Sequence, residues 1–280
     1  MKVAALWSGG KDSCLAAYEA TLQGFDVSNL LSYTYKGDNE AATAASRNPL
    51  NIIYNSVRKE TPSIIQNLLS FVYNKDLSTM IPHEIAPEII KIQAKAMEIP
   101  VVHGEVEWDT IDQFLRSSLI KLKQTGIEGL VFGVVPPHYP IDSSEKLREY
   151  RTLQAHKEWI NKICHDLSLK PITPLWERSP EQILNELVGK GFETIIIVVN
   201  SNYFGEEWLG RKIDREFLSE AYKLKNKKSV HIGGSGYHTL VVDGPTFKKR
   251  LNITQSKKIW KNNYGVLEIS KINLENKAQN

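Results

Sequence analysis

Six consecutive residues, Ser8-Gly9-Gly10-Lys11-Asp12-Ser13, carry most of the chemistry that the sequence offers. Two adjacent glycines let a backbone turn tightly and come close to an anion. The apolar run Val3–Trp7 ahead of them reads as a buried strand. Behind them, Asp12–Gln23 places Leu15, Ala16, Tyr18, Ala20 and Leu22 at helical spacing, with Gly24 as a stop. A helix that opens on glycines presents free N–H groups and a partial positive charge, the arrangement that holds phosphate. Ser8 and Ser13 add hydroxyls and Lys11 adds a cation. Asp12 on its own would repel phosphate, so it makes sense there as a magnesium ligand. The stretch is neither G-x-x-x-x-G-K-[ST] nor G-x-G-x-x-G, so γ-phosphate transfer and dinucleotide chemistry are disfavoured. A tight strand-to-helix turn that binds nothing is the bland alternative.

The elements that would position this loop alternate along the chain. Val27–Tyr33, Val101–Val106, Leu130–Val135 and Thr194–Val199 read as strands. Glu84–Met97, Thr110–Gln124, Leu153–Leu167, Ser179–Gly189 and Asp214–Leu224 read as helices. Such alternation implies an α/β fold with a parallel sheet and helices on both faces. After Ser229 the pattern changes to strand-like pieces at Thr239–Val242, Phe247–Ile253 and Tyr264–Ile269, which predicts a smaller β-rich C-terminal α+β domain. The expected division is 1–135 for the domain that carries the phosphate loop, 136–152 for a linker or insertion rich in Pro, Ser and charge, and 153–280 for a substrate domain. Residues 34–79, with a weak helical pattern around Ile64–Val72, read as an insertion or lid.

Composition narrows the class. With 280 residues, 41% hydrophobic and 24% charged, the chain is ordinary for a globular protein of one large domain or two modest ones. No apolar run approaches the roughly 20 residues of a membrane helix, and the first residues are too few for a signal peptide. The two cysteines, Cys14 and Cys164, leave no disulfide framework and no CxxC, which fits a cytoplasmic protein. Net charge is only +3, but Lys223–Lys261 holds ten Lys/Arg against one acid, so the remainder is −6. An anionic partner and a plain solvated face both account for that asymmetry.

The complete SGGKDS loop resembles the PP-loop of ATP pyrophosphatases of the adenine nucleotide α-hydrolase type. Other blocks resemble the diphthine–ammonia ligase-like members of that group: Met80-Ile-Pro-His83, Gln93–Pro100, Gly126–Gly133, His156–Trp159, Pro174-Leu175-Trp176, Leu209–Asp214, Gly236–Leu240 and Asp243–Lys249. The block Tyr237-His238-Thr239…Asp243-Gly-Pro-Thr-Phe-Lys-Lys249 is far more specific than the loop. The resemblance covers residues 1–33 and about 80–251.

What it implies is amide formation from a carboxylate and ammonia through an acyl-adenylate, with release of AMP and pyrophosphate. The acceptor is diphthine, a modified histidine on elongation factor 2. ATP and Mg2+ are the expected cofactors, with Asp12 on the metal and Lys11, Asp12 and His238 as catalytic residues. Leu6, Ser8–Ser13, Ser32, His83 and Gly133 are expected around the nucleotide, and the backbone near Leu6 and Ser32 would flank adenine. Arg211, Gly233, Gly234, Gly236, Tyr237, His238, Thr239 and Lys248 are expected on the acceptor side. Bland readings stand beside several of these: a loop cap for His83, core packing for Tyr237, a surface ion pair for Arg211. His103, His156 and Trp159 read as structural.

The chain departs from the family where Gly-Glu-x-Gly-Glu usually precedes Tyr-His-Thr, since glycines stand at 233 and 236. Val134 stands where many relatives have Asp, and Asp142 is its displaced candidate. A paralogue that adenylates a tRNA base or small metabolite, and an ATP-binding protein with reduced catalysis, remain as alternatives. A membrane partner is not expected, nucleic acid is disfavoured, and a homo-oligomer is left open.

Overall fold

The computed structural model describes residues 1–35, 85–107, 110–135, 144–228, 236–261 and 263–277. Five parallel strands form the first sheet: β1 (Lys2–Leu6), β2 (Asp26–Tyr35), β3 (Val101–Val106), β4 (Gly129–Val131) and β5 (Lys170–Ile172). Their spatial order is β3-β2-β1-β4-β5. The chain therefore winds outward from β1 in one direction, then restarts beside β1 in the other. Such a reversal opens a crevice at the C-terminal ends of the two central strands, where open α/β sheets bind ligands. The Ser8–Ser13 loop follows β1 and Gly133 follows β4, so both lie at this crevice.

Alternation along β1 explains the layers. Val3, Ala5 and Trp7 face α1 (Lys11–Leu22) and α2 (Pro87–Met97), and Ala4 faces α3 (Ile111–Gln124) and α4 (Ser144–Asp166). The apolar stripe of α2, built from Ile89, Ile90, Ala94, Ala96 and Met97, is buried in the first of these cores.

The second sheet is antiparallel, in the order β7-β6-β9-β8. It comprises β6 (Glu193–Asn200), β7 (Tyr237–Asp243), β8 (Lys249–Lys261) and β9 (Tyr264–Asn276). Two helices accompany it, α5 (Pro180–Gly189) and α6 (Arg215–Lys228). Ser179 starts α5 with a capping box, its hydroxyl accepting from Gln182 N–H, and Pro180 occupies the first turn. The α1/α2 layer touches both sheets, α1 meeting β7 and α2 meeting β8 and β9. One apolar core consequently runs from β1 through these helices to β6 and β7.

The parallel α/β sheet and the β-rich C-terminal part agree with the sequence reading, and several particulars differ. The run at 194–199 is a strand buried on both faces, but it belongs to the antiparallel sheet. An apolar β-branched run specifies burial on both faces and says nothing of pairing direction. Residues 144–152, read as linker, are the first turns of α4. A fifth strand of three residues, Lys170–Ile172, was too short to read and carries the first sheet beyond residue 153. Of the apolar run Leu130–Val135 only Leu130 and Val131 pair as strand, with Gly129 ahead of them. The β8–β9 hairpin is longer than its apolar residues suggest, because residues 254–258 of β8 and 270–276 of β9 are mostly polar and exposed. The proposed lid beyond Tyr35, including the helical pattern at 64–72, lies outside the described residues.

A buried carboxylate fastens α1 to α5. Glu19 of α1 lies 2.5 Å from Arg178 Nη2 and 3.0 Å from Lys190 Nζ, and Arg178 also bonds Glu186. Burial works to raise the Glu19 carboxyl, but the bonds and charges of Arg178 and Lys190 outweigh it and hold the group below its ordinary value. A depressed carboxyl contributes stability above its unfolded value, about 4.3. That contribution fades as pH falls through the lower folded value. Glu19→Gln should therefore cost about 3 kcal/mol at neutral pH, since it takes the carboxylate from partly buried Lys190 and leaves Arg178 with Glu186 alone. Urea denaturation should show the gap from wild type closing below about pH 4.

Candidate functional site

The loop after β1 is held open by its own side chains. Gly9 has φ +76°, the left-handed region that glycine adopts without strain. Gly10 is the N-cap of α1 and has no side chain to cap with. Ser13 Oγ donates to Gly10 O at 3.1 Å, and Ser8 Oγ lies 3.2 Å from Ser13 Oγ. The Gly10, Asp12 and Ser13 N–H groups meet no acceptor among the described residues. Unpaired N–H groups at a helix N-terminus are the arrangement that can receive an anion.

Lys11 is buried, with Nζ 2.7 Å from Asp12 Oδ2. Asp12 Oδ1 is itself buried and lacks a hydrogen-bond partner. An orphaned carboxylate oxygen beside free N–H groups fits a magnesium ion that takes its remaining ligands from phosphate and water. No cluster of three or more His, Cys, Asp or Glu capable of holding a metal occurs among the described residues. The single carboxylate suits this substrate-shared mode better than an all-protein cage.

The second sheet supplies the wall opposite α1. Val241 N–H donates to Gly9 O at 3.1 Å, and Lys11 N–H donates to Thr239 Oγ1 at 3.1 Å. A Cβ on Gly10 would stand 3.1 Å from Thr239 O, so strand and loop are already in contact. Gln93 of α2, fully buried, spans the junction. Its Nε2 donates to Gly9 O (3.0 Å) and Val241 O (2.7 Å), and its Oε1 accepts from Trp7 Nε1 (3.1 Å). Tyr237 lies in the same wall, with its ring centroid 5.8 Å from Lys11 Nζ and its edges on Phe204 and Phe217. Burial, then the charge of Asp12, push its phenol well above the usual range.

The expected residues thus divide. Leu6, Ser8–Ser13, Gly133, Tyr237 and Thr239 converge at the crevice. Gly133 packs so closely that an added Cβ would fall 2.5 Å from Asp12 O. Ser32 is buried on the neighbouring β2, in register with His103 on β3. Strand alternation sends His238 to the opposite face of β7 from Tyr237 and Thr239. Arg211 is committed elsewhere, 2.6 Å from Glu220 and stacked on Trp208. The Glu220 hydrogen bond is the main cause of its raised pKa. Lys248 is exposed, and its N–H is tied to Ala96 O at the far end of α2 from Ile85 and Ile90, which border Gly9. Gly236 has φ +120°, and its carbonyl accepts from Asn200 N–H. His83, Gly233, Gly234 and Asp142 lie outside the described residues.

Both thiols are buried. Burial, opposed by Ser13 and reinforced by Asp12, pushes Cys14 well up, and burial alone takes Cys164 to about 12. Neither supplies a thiolate near neutral pH. His156 stacks on Trp159, whose Nε1 donates to Asp112, which accords with their structural reading.

Gln93 is the residue that residue-by-residue reading passed over. Its signal was available: a primary amide within the apolar stripe Ile89, Ile90, Ala94, Ala96, Met97 is costly to bury unless it is fully bonded.

Comparison with known families meets this geometry at both walls. The diphthamide synthase N-terminal domain matches residues 1–53, which hold the loop. The diphthamide synthase C-terminal domain matches residues 179–274, which hold the whole of β6–β8 and nearly all of β9. The chain belongs to the diphthamide synthase family. Its relatives include diphthine–ammonia ligases, which are ligase enzymes. That of Bos taurus is 23% identical over 262 residues, 91% of this chain and 84% of the relative. That of Rattus norvegicus is 24% identical over 263 residues, 92% and 85%. That of Schizosaccharomyces pombe is 25% identical over 258 residues, 91% of this chain but 36% of a longer protein. Family membership makes the junction of loop and β7 a junction of the family's two domains.

Two substitutions test the division of residues. Gly133→Ala forces a methyl against the Asp12 backbone and should lower stability by about 1–3 kcal/mol, read as a fall in thermal midpoint. Arg211→Gln removes a half-exposed pair worth at most about 1 kcal/mol. It should leave nucleotide affinity, measured by calorimetry, at the wild-type value.

Proposed function

We propose that this chain is an ATP-dependent ligase that converts the carboxylate of diphthine on elongation factor 2 to its amide, using ammonia. The observation that carries the reading is the Ser8–Ser13 loop at the reversal of strand order, with unbonded N–H groups and the orphaned Asp12 Oδ1, walled by the β7 segment of the family's C-terminal domain.

A carboxylate is a poor electrophile and must be activated. Its oxygen attacks the α-phosphorus of ATP, the bond to the pyrophosphate oxygen breaks, and an acyl-adenylate forms. Ammonia then attacks the acyl carbon and AMP leaves with the bonding pair of the C–O bond. A proton is lost from nitrogen. The protein's part is positioning and charge neutralisation. The Gly10, Asp12 and Ser13 N–H groups and the Lys11 ammonium receive the pyrophosphate. Asp12 would hold magnesium, which would neutralise phosphate charge. Leu6, at the end of β1, and Ser32, within β2, border the place for adenine, and Tyr237 and Gly236 border the way to the acceptor. A protein acceptor of this kind places the activity in the cytoplasm. No described helix is long and apolar enough to cross a membrane.

A different acceptor is the second reading. Gly233 and Gly236 stand where the family usually carries acids, and Val134 is buried in the apolar core beside α3 and α4.

Incubation with ATP, ammonia and diphthine-bearing elongation factor 2 should give the small mass decrease of an acid-to-amide change, with matching AMP. Lys11→Ala and Asp12→Asn should each slow AMP formation by about 10²-fold or more. No AMP with this acceptor, but AMP with a tRNA or small carboxylate, would move the assignment to the second reading.

A further inference from the structure

We infer that Gln93 and Thr239 are positioning residues of the nucleotide loop, so that α2 and the second sheet, and not the loop's own sequence alone, set the pyrophosphate cradle. The inference rests on the nucleotide reading above and adds who holds the loop in its binding shape.

Two successive peptide planes are clamped from the same side. In the Gly9–Gly10 plane, the carbonyl oxygen accepts from both Gln93 Nε2 (3.0 Å) and Val241 N–H (3.1 Å). A planar trans peptide points its N–H opposite to its C=O, and no cis bond occurs among the described residues. Fixing the Gly9 oxygen against Gln93 and β7 therefore directs the Gly10 N–H away from them, into the crevice. In the Gly10–Lys11 plane, the N–H is taken by Thr239 Oγ1 (3.1 Å), and the carbonyl is taken by Ser13 Oγ and Cys14 N–H. Both planes lose their freedom to rotate. A glycine pair left free would sample many orientations, and anion binding would have to order it.

Gln93 is matched to this task. Its two amide hydrogens are both used, on Gly9 O and Val241 O, and its oxygen is held by Trp7 Nε1. A Cβ at Gly9 would lie 2.5 Å from Gln93 Oε1, so the amide occupies the space that only glycine leaves. Trp7, in turn, is anchored by its N–H to Leu31 O of β2. The loop's geometry is thereby referred to β1, β2, α2 and β7 at once.

A merely structural role predicts lower stability with unchanged affinity, and a positioning role predicts lower affinity in the folded protein. The test measures the Kd of the full-length chain for magnesium ATP and for inorganic pyrophosphate by calorimetry, at a temperature where circular dichroism shows complete folding. Gln93→Met and Thr239→Val should each weaken both ligands by about tenfold. Thr239→Ser keeps the acceptor oxygen and should bind within about twofold of wild type. Leu115→Ala, a cavity in the core on the other face of the first sheet, should lower the thermal midpoint while leaving both Kd values unchanged. If Gln93→Met does not fold, the contrast between Thr239→Val and Thr239→Ser decides. Wild-type Kd values in the Val and Met variants overturn the inference alone. Absence of binding in the wild type overturns the nucleotide reading, and the inference with it.

Discussion

Everything at the site depends on one buried amide and one backbone bond beside it. Gln93 and the Val241 N–H both end on the carbonyl of Gly9, and together with the Lys11 N–H bond to Thr239 Oγ1 they join the first sheet's loop to the second sheet. An unsatisfied amide at full burial would cost more than a typical bond contributes. The arrangement is thus self-enforcing: β7 must lie against the loop, or Gln93 and Gly9 lose partners together. In this chain β7 is consequently not loosely attached to the loop: it accepts from Lys11 N–H and donates to Gly9 O.

The same constraint explains the local sequence. Gly9 is glycine for two independent reasons, a positive φ and the proximity of Gln93. Gly10 lets β7 approach to contact distance, and Gly133 lets the β4 segment approach the first turn of α1. An adjacent pair of glycines and a third far along the chain therefore let α2, β7 and the β4 segment all come close to the one loop. Tyr237 adds an apolar floor beside Lys11, and its burial among Phe204 and Phe217 makes it a fixed surface, not a titrating group.

Much of this was legible in the sequence, and the limits have physical causes. A glycine-rich loop between a strand and a helix announces its function locally, so the residues Ser8–Ser13 could be named without a structure. The apolar periods of α1, α2, α3 and α5 did the same for the helices. What pairs with what was not legible. The run at 194–199 has no feature that distinguishes a parallel from an antiparallel neighbour, and Lys170–Ile172 is too short to show a period. Roles that depend on distant partners were also hidden. Arg211 looked as able to reach an anion as a carboxylate, until Glu220, nine residues on, settled the matter. His238 and Thr239 stand side by side in a motif, yet strand alternation gives the loop only one of them.

The charge asymmetry is resolved on the same grounds. The basic stretch from Lys223 to Lys261 is +9 as written, which invites an anionic partner. In the fold, Arg250 is 2.6 Å from Glu193, Lys257 is 2.7 Å from Glu268, and Lys258 donates to the carbonyl of Glu206. The two acids among these partners lie outside the counted stretch, Glu193 before it and Glu268 beyond its end, while Glu206 takes part through its carbonyl alone. A count along the chain assigns these acids to the other part of the molecule, although the sheet places them beside the lysines. Exposed pairs of this kind are each worth at most about 1 kcal/mol and do not hold the hairpin together. They do lower the field that the sequence seemed to promise. Among the described residues, the one cation that the fold buries is Lys11, and it stands in the loop proposed to receive pyrophosphate.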